Sequence, residues 1–377
     1  MKAAWGLATG LVLLAACASP PPKGEADPKT SRLRTASSLK PSALVSPDAA
    51  PSPLPGPSPT PAPTPRPKDA AALGEELFKK GDYRRAISVL GEAIKKDQSS
   101  YKLWRNLGSA YAMAEDLDNA LKCFKSALRR NPGDIKSHYN LSLVYALKGP
   151  QALDNAEAAA KQGLELDPRH PGLHSSLGNI YADKSQDDAA MQEYKTALGL
   201  RPDDPITRFN KGGLHFKLRQ FGEAEKEYRE VLRLKPDDPE AAQNLAAVYI
   251  LQDRLEEAEK LNRHVIASKP RDEDTLENAY FNLGLIYDRQ SKLERALDMY
   301  KLALQVAPWD AAAYVNAAVV LERLDRKKEA LAYWQKYERL FPASRRGPEI
   351  HKRVEILKKM VALGGGKAKK IGKKQGD

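Results

Sequence analysis

Cysteines, histidines and a recurring set of asparagines are the residues whose type and spacing could support chemistry. The 377-residue sequence holds two cysteines, Cys17 and Cys123, too few for a disulfide framework or a four-ligand zinc site. His170 and His174 stand four apart, the spacing of two ligands on one helix face, but Pro171 and Gly172 lie between them and put His170 in a turn. His138, His215, His264 and His351 have no cysteine or second histidine at ligand spacing, so no metal is expected. Nucleophile elbow, HExxH and CxxC motifs are missing, and Gly366-Lys367 lacks the Ser or Thr and the flanking strand of a phosphate loop. No cofactor and no enzymatic activity are therefore expected. The asparagines are different. Asn106, Asn140, Asn210, Asn244, Asn282 and Asn316 recur at or near multiples of 34 residues. An amide both donates and accepts, so a row of them can pair with the main chain of an extended peptide whatever its sequence.

Composition separates the segment that carries these asparagines from what precedes it. The sequence is 42% hydrophobic but only 7% aromatic, and has 27 prolines, which argues against two or three ordinary globular domains. Lys2 is followed by an apolar run from Ala3 to Ala16, the length of a signal-peptide core and too short to cross a bilayer, so residues 1–16 read as an export signal. No run of 18 or more apolar residues occurs elsewhere. Ala18 to Pro67 uses 15 of the 27 prolines, with Pro at every second position from Pro51 to Pro67. Residues 17–66 are therefore expected to be a disordered or polyproline linker with a reach on the order of 100 Å at about 3.1 Å per residue. It reads as a spacer, with a Pro-rich recognition ligand as the alternative. Charge is uneven. Residues 1–66 carry 7 basic and 3 acidic side chains, residues 67–344 carry 43 of each, and residues 345–377 carry 11 against 3. A neutral central segment offers no basic face to a nucleic acid, and none is expected as a partner.

Comparison of the sequence with itself at a shift of 34 accounts for residues 67–344. Trp104, Leu107, Gly108 and Tyr111 fall on one face of a first helix, and Ala120, Phe124 and Ala127 on one face of a second. Leu177, Gly178, Tyr181, Ala190, Tyr194 and Ala197 repeat the set, as do Leu283, Gly284, Tyr287, Ala296, Tyr300 and Ala303. Eight units start at Pro67, Tyr101, Ile135, Pro171, Pro205, Pro239, Glu277 and Ala311. Small residues at positions 8 and 20 let two helix backbones approach. Pro132, Pro202 and Pro308 stop the second helix. In Asp204-Pro205 and Asp238-Pro239 the Asp can cap the next helix and the Pro can take its first position. Gly149-Pro150 and added residues should bulge the third unit's turn. Ile350, Val354, Leu357 and Val361 predict a capping helix within 345–363, followed by Gly364-Gly365-Gly366 and a disordered basic tail, 364–377.

These residues resemble the tetratricopeptide repeat (TPR). The resemblance implies an all-α solenoid of eight helix-turn-helix repeats with a C-terminal capping helix and a concave groove lined by the first helices. In TPR proteins position 6 faces that groove, so Asn106, Asn140, Asn210, Asn244, Asn282 and Asn316 would form a ladder similar to that of the O-linked N-acetylglucosamine transferases. The alternative is that Asn is simply common at this position. Tyr139, Leu143, Phe209, Phe216, Phe281, Leu285 and Val315, at positions 5, 9 and 12, would lie between the rungs as partner contacts, unless the cap or adjacent turns cover them. A chaperone-type carboxylate clamp is not matched, since Ala71 and Glu75 stand where Lys and Asn are needed.

Leu14-Ala15-Ala16-Cys17 resembles the lipobox of bacterial lipoproteins. That implies a diacylglyceryl thioether and an N-acyl chain on Cys17, an effectively permanent anchor. Ala18 in place of Asp implies sorting to the outer membrane. Lipobox and repeats together resemble the TPR lipoproteins that serve type IV pilus secretins as pilotins, and equally those of gliding-motility complexes. The function implied is an outer-membrane-anchored, periplasm-facing adaptor that binds protein partners and supports assembly of an envelope machine. The alternative is an adaptor that regulates cell-wall hydrolases or synthases. The lysines at 367, 369, 370, 373 and 374 could touch anionic lipid or cell wall, or stay solvated.

Overall fold

The structure, a computed structural model, describes residues 67–371 apart from Arg271 and residues 343, 345 and 346. The expected signal peptide, Cys17 and the Pro-rich linker lie outside the described residues, as do residues 372–377 of the basic tail. Among the described residues the chain is all-α, with 17 helices and no strand. Four pairs come first: α1 (Pro67–Lys79) and α2 (Tyr83–Lys96), α3 (Tyr101–Met113) and α4 (Leu117–Arg130), α5 (Ile135–Leu147) and α6 (Leu153–Leu166), α7 (Pro171–Asp183) and α8 (Asp187–Leu200). Then follow α9 (Pro205–Lys217) and α10 (Phe221–Leu234), α11 (Pro239–Leu251) and α12 (Leu255–Ala267), α13 (Glu273–Arg289) and α14 (Leu293–Val306), α15 (Ala311–Arg323) and α16 (Lys327–Leu340), and finally α17 (Gly347–Ile371).

Local rules set the ends of these helices. Asp204 accepts from the Thr207 amide and Asp238 from the Ala241 amide, with Pro205 and Pro239 at the first helical position where no donor is missed. His170 is also a cap: its Nδ1 accepts from the Leu173 amide, ahead of Pro171. The turn inside every pair uses one left-handed residue at position 15. In two units it is glycine, Gly81 and Gly149; in six it is Glu115, Ser185, Arg219, Asp253, Ser291 or Asp325. Side-chain-bearing residues pay a backbone cost there that glycine does not. Gly149 leads into a single 3-10 turn, Pro150–Ala152, which absorbs the extra residues of the third unit.

The chain divides into two bodies, whose described residues are 67–218, carrying α1–α9, and 219–371, carrying α10–α17. In the first body, Phe124 lies over Gly108 and Tyr194 over Gly178 of their own pairs, so close that a Cβ would meet the ring at 2.9 Å and 2.5 Å. Tyr300 and Gly284 repeat this in the second body, again at 2.5 Å. Position 8 is thus small because the position-24 ring occupies the space a side chain would need. All three rings are fully buried, each a large share of its pair's apolar burial. Lys184 spans from the end of α7 back to Asp154 (2.6 Å) and Glu157 (2.5 Å) on α6, and Lys217 from α9 to Asp187 of α8 (2.6 Å), tying each pair to the one before.

Two boundaries differ from those expected. The four residues Glu273–Leu276, inserted before the seventh unit, join its first helix, so α13 begins at Glu273 and is 17 residues long. The capping helix does not stop at residue 363; α17 runs on through Gly364-Gly365-Gly366 to Ile371, so the start of the expected tail is helical. Extending a helix needs no new nucleus and each residue adds one hydrogen bond, which offsets the roughly 1 kcal/mol that each glycine costs.

Candidate partner-binding surface

In the first body consecutive first helices touch each other, α1 with α3, α3 with α5, α5 with α7 and α7 with α9, and make one row. The expected ladder lies on this row, but its amides are not presented outward. Asn106 Nδ2 donates to Glu75 Oε1 (3.0 Å), Asn140 Nδ2 to Ser109 Oγ (3.3 Å) and Asn210 Nδ2 to Asn179 Oδ1 (2.9 Å). Each bond runs from position 6 of one first helix to position 9 of the preceding one. Asn140 and Asn210 are buried, and Asn179 also accepts from the Tyr194 hydroxyl (2.7 Å). Where position 6 is Ser176, its hydroxyl bonds Ser142 instead (2.9 Å).

In the second body Asn244 is half-buried and bonds the Tyr228 hydroxyl, Asn282 is buried with its nearest amide partner Asn262 at 3.5 Å, and Asn316 is half-buried. Position 9 of the units before Asn282 and Asn316 is Ala247 and Leu285, which accept nothing through a side chain. Five of the six asparagines thus hold side-chain hydrogen-bond partners inside the fold, which limits what each amide can offer an extended peptide.

Position 5, read from sequence as an apolar contact position, is a second set of braces. Arg105 pairs with Asp134, the cap of the next first helix, at 3.0 Å. Ser175 Oγ accepts from Thr207 at 2.8 Å, and Gln243 Nε2 donates to the Thr275 carbonyl at 2.5 Å. Tyr139 is half-buried with its ring 5.8 Å from that of His170, and burial, with Asp204 close by, pushes its hydroxyl up to about 12. Sequence held a usable signal for the first set of braces: a polar position 9 (Glu75, Ser109, Asn179) precedes each of the three rungs, Asn106, Asn140 and Asn210, that bond the preceding first helix.

The apolar candidates divide. Phe281 is 2% exposed and packs on the Tyr300 ring at 5.6 Å, so it is core, not contact surface. Leu143, Leu285 and Val315 are buried as well. For Leu143 the neighbouring first helices of the row lie close by, and for Phe281 the ring of its own pair's second helix does. Phe209 and Phe216 on α9 remain half-buried, and Ile206, which the sequence reading passed over, is 47% exposed on the same helix. At 100° per residue the three fall within one third of the helix circumference, giving α9 a partly exposed apolar sector.

The histidines, Cys123 and two buried acids make contacts within the fold. His174 sits between Glu193 (2.6 Å) and the Pro168 carbonyl (3.0 Å), and burial lowers the pKa of the capping His170. Cys123 is buried beside Phe124, and its thiol is pushed up to about 12, too high for a nucleophilic thiolate at neutral pH. Glu277 and Asp310, both buried, share a hydrogen bond where α13 meets the start of α15. Burial raises the Asp310 pKa, but its carboxylate accepts from Glu277 and from the Ala312 and Ala313 amides (2.9 and 3.1 Å), which favour its negative charge. Burial and that charge push Glu277 up to about 9, so it holds the proton.

Comparison with known proteins agrees with the helix pairing. Tetratricopeptide repeat models match residues 215–276 and 277–310, and the model of the cilia and flagella-associated protein 70 C-terminal domain matches residues 60–244. The chain carries tetratricopeptide repeats. It is 31% identical over 109 residues to the BBSome complex member BBS4 of Bos taurus, covering 29% of this chain and 20% of that one. It is 28% identical over 123 residues to the Hsp70-Hsp90 organising protein of Plasmodium falciparum, covering 32% of this chain and 46% of that one. The TPR chain thus spans a fifth of the first relative's length and under half of the second's. Among solved structures, the APC/C hetero-tetramer Cut9-Hcn1 superposes with a TM-score of 0.55 at 15% identity, over 76% of this chain and 55% of that one, which shows the shared fold.

Proposed function

We propose that this TPR protein is an outer-membrane-anchored, periplasm-facing adaptor that holds an apolar segment of a partner protein and supports assembly of an envelope machine, a pilus secretin or a gliding-motility complex. The observation that carries the binding reading is the apolar sector of α9, with Ile206 exposed and Phe209 and Phe216 half-buried, next to a row whose polar positions 5 and 6 are spent on stacking. Apolar side chains that stay partly exposed beside occupied amides favour aromatic or aliphatic partner side chains over main-chain pairing. The anchor rests on Leu14-Ala15-Ala16-Cys17. Two relatives whose names describe a complex member and an organising protein support the assembly role.

Affinity co-purification from solubilised envelopes tests the reading. Wild type is expected to bring down a stoichiometric partner, and Phe209→Ser with Phe216→Ser to lose most of it at unchanged helicity. Full recovery by the double variant would remove α9 as the recognition surface. Cys17→Ala is expected to abolish fatty-acid labelling and release the protein from the membrane fraction; labelling that persists would remove the anchor.

A further inference from the structure

The capping helix has a second apolar face that the repeat array does not use. Ile350, Val354 and Leu357 of α17 are buried against the last pair. Ile356, Met360 and Leu363, spaced i, i+4 and i+7, are 51%, 46% and 73% exposed, and at 100° per residue they centre more than 90° around the helix from the buried set. Lys352 and Lys359 are exposed along one margin of this stripe and make no ion pair among the described residues. Arg353 pairs instead with Glu322 and Lys358 with Glu355 (2.7 Å), and the His351 ring lies 3.0 Å from Glu338. Glu349, in the first turn, is the acidic residue nearest the stripe by helical angle.

We infer that α17 docks the repeat array onto an anionic phospholipid surface, with Ile356, Met360 and Leu363 entering the acyl boundary and the lysines meeting the headgroups. Charge selects this occupant. Residues 345–377 carry 11 basic side chains against 3 acidic, while the repeats before them are neutral, so a second copy would meet its own excess positive charge at the stripe. An anionic surface is attracted by the same charge, by about 1 kcal/mol per lysine held close to it. The stripe is also a ridge on one convex helix. A ridge can enter a fluid interface without a preformed groove, and its three exposed side chains bury their area there. The inference does not need Cys17 to be acylated. With an acyl anchor it would set the array close against the bilayer at its C-terminal end; without one it would bind reversibly.

The test uses the full chain with Cys17→Ala in every sample, so that no attached lipid contributes. An environment-sensitive fluorophore on Leu363→Cys reports the stripe, and one on Lys260→Cys, an exposed position in α12, serves as control. Vesicles of phosphatidylglycerol and phosphatidylethanolamine should shift the residue-363 emission to the blue and leave residue 260 unchanged, while phosphatidylcholine vesicles shift neither. Lys352→Glu with Lys359→Glu should raise the lipid concentration needed at least tenfold, as should Ile356→Ser with Met360→Ser. No shift with anionic vesicles, or an equal shift with neutral ones, overturns the inference. So does a lipid-free shift that grows with protein concentration, which would assign the stripe to a second copy, or one produced only by lipid-stripped envelope protein, which would assign it to a protein partner.

Discussion

Asn210, expected from its repeat position to face a partner, makes its hydrogen bond inside the fold. Its Nδ2 donates to Asn179 Oδ1, which also accepts from Tyr194, and all three groups are buried. Asn210→Ala would leave a buried acceptor short of one donor and is expected to cost about 1–3 kcal/mol in urea unfolding. A free groove amide would leave stability unchanged. Position 6 was legible in the sequence as a recurring Asn; its acceptor was not, because the partner lies 31 residues away and changes identity from Glu75 to Ser109 to Asn179. Glu277 was wholly illegible, since nothing in a helical pattern announces a carboxyl that meets the cap of the next helix. An unfolded Glu ionises near its ordinary 4.5, whereas in the fold Glu277 is pushed up to about 9. The stability gained from the protonated form is therefore complete below about pH 4.5 and is lost progressively as pH rises toward 9. Glu277→Gln, which donates without taking up a proton, should flatten that slope and raise the melting temperature at pH 8. A parallel pH dependence in the variant would mean that the proton resides elsewhere.

At the level of the helix pair, the sequence pattern was nearly sufficient. Gly and aromatic at positions 8 and 24 specify a seat for a ring, and the three observed cases, Gly108, Gly178 and Gly284, have that geometry. Gly178→Ala adds only a Cβ, yet that atom would meet the Tyr194 ring at 2.5 Å, so a loss of roughly 1–3 kcal/mol is expected by chemical denaturation. In a repeat array the loss should appear first as faster amide exchange in α7 and α8, because each pair depends chiefly on its neighbours. The left-handed residue at position 15 escaped the pattern because six of eight units use a residue other than glycine. Backbone strain at these turns is tolerated where the flanking helices over-determine the turn. On α17 the two apolar faces separate cleanly. Val354→Asp would bury a charge and should detach the cap, while Ile356→Asp places it in water and should leave the melting curve unchanged.

For the whole molecule, composition and period together gave the all-α class, because a 34-residue spacing of small, aromatic and proline residues has few other solutions. They did not reveal which groove positions stay open. Burial there depends on how closely successive first helices approach, and that is decided by packing between residues more than 30 apart. Tyr139, Phe209 and Phe216 survive as half-buried candidates, whereas Phe281 belongs to the core. The proposed contacts divide by chemistry: an apolar sector on α9 for a protein partner, and a basic amphipathic α17 for lipid. Photo-crosslinking in intact cells tests that division most directly, with a benzophenone side chain placed in turn at Phe216, at Met360 and at the control Lys260. A discrete protein adduct is expected from residue 216, lipid adducts from residue 360 and neither from residue 260. A protein adduct confined to residue 360, with residue 216 silent, would contradict that division and move partner recognition to the C-terminal helix.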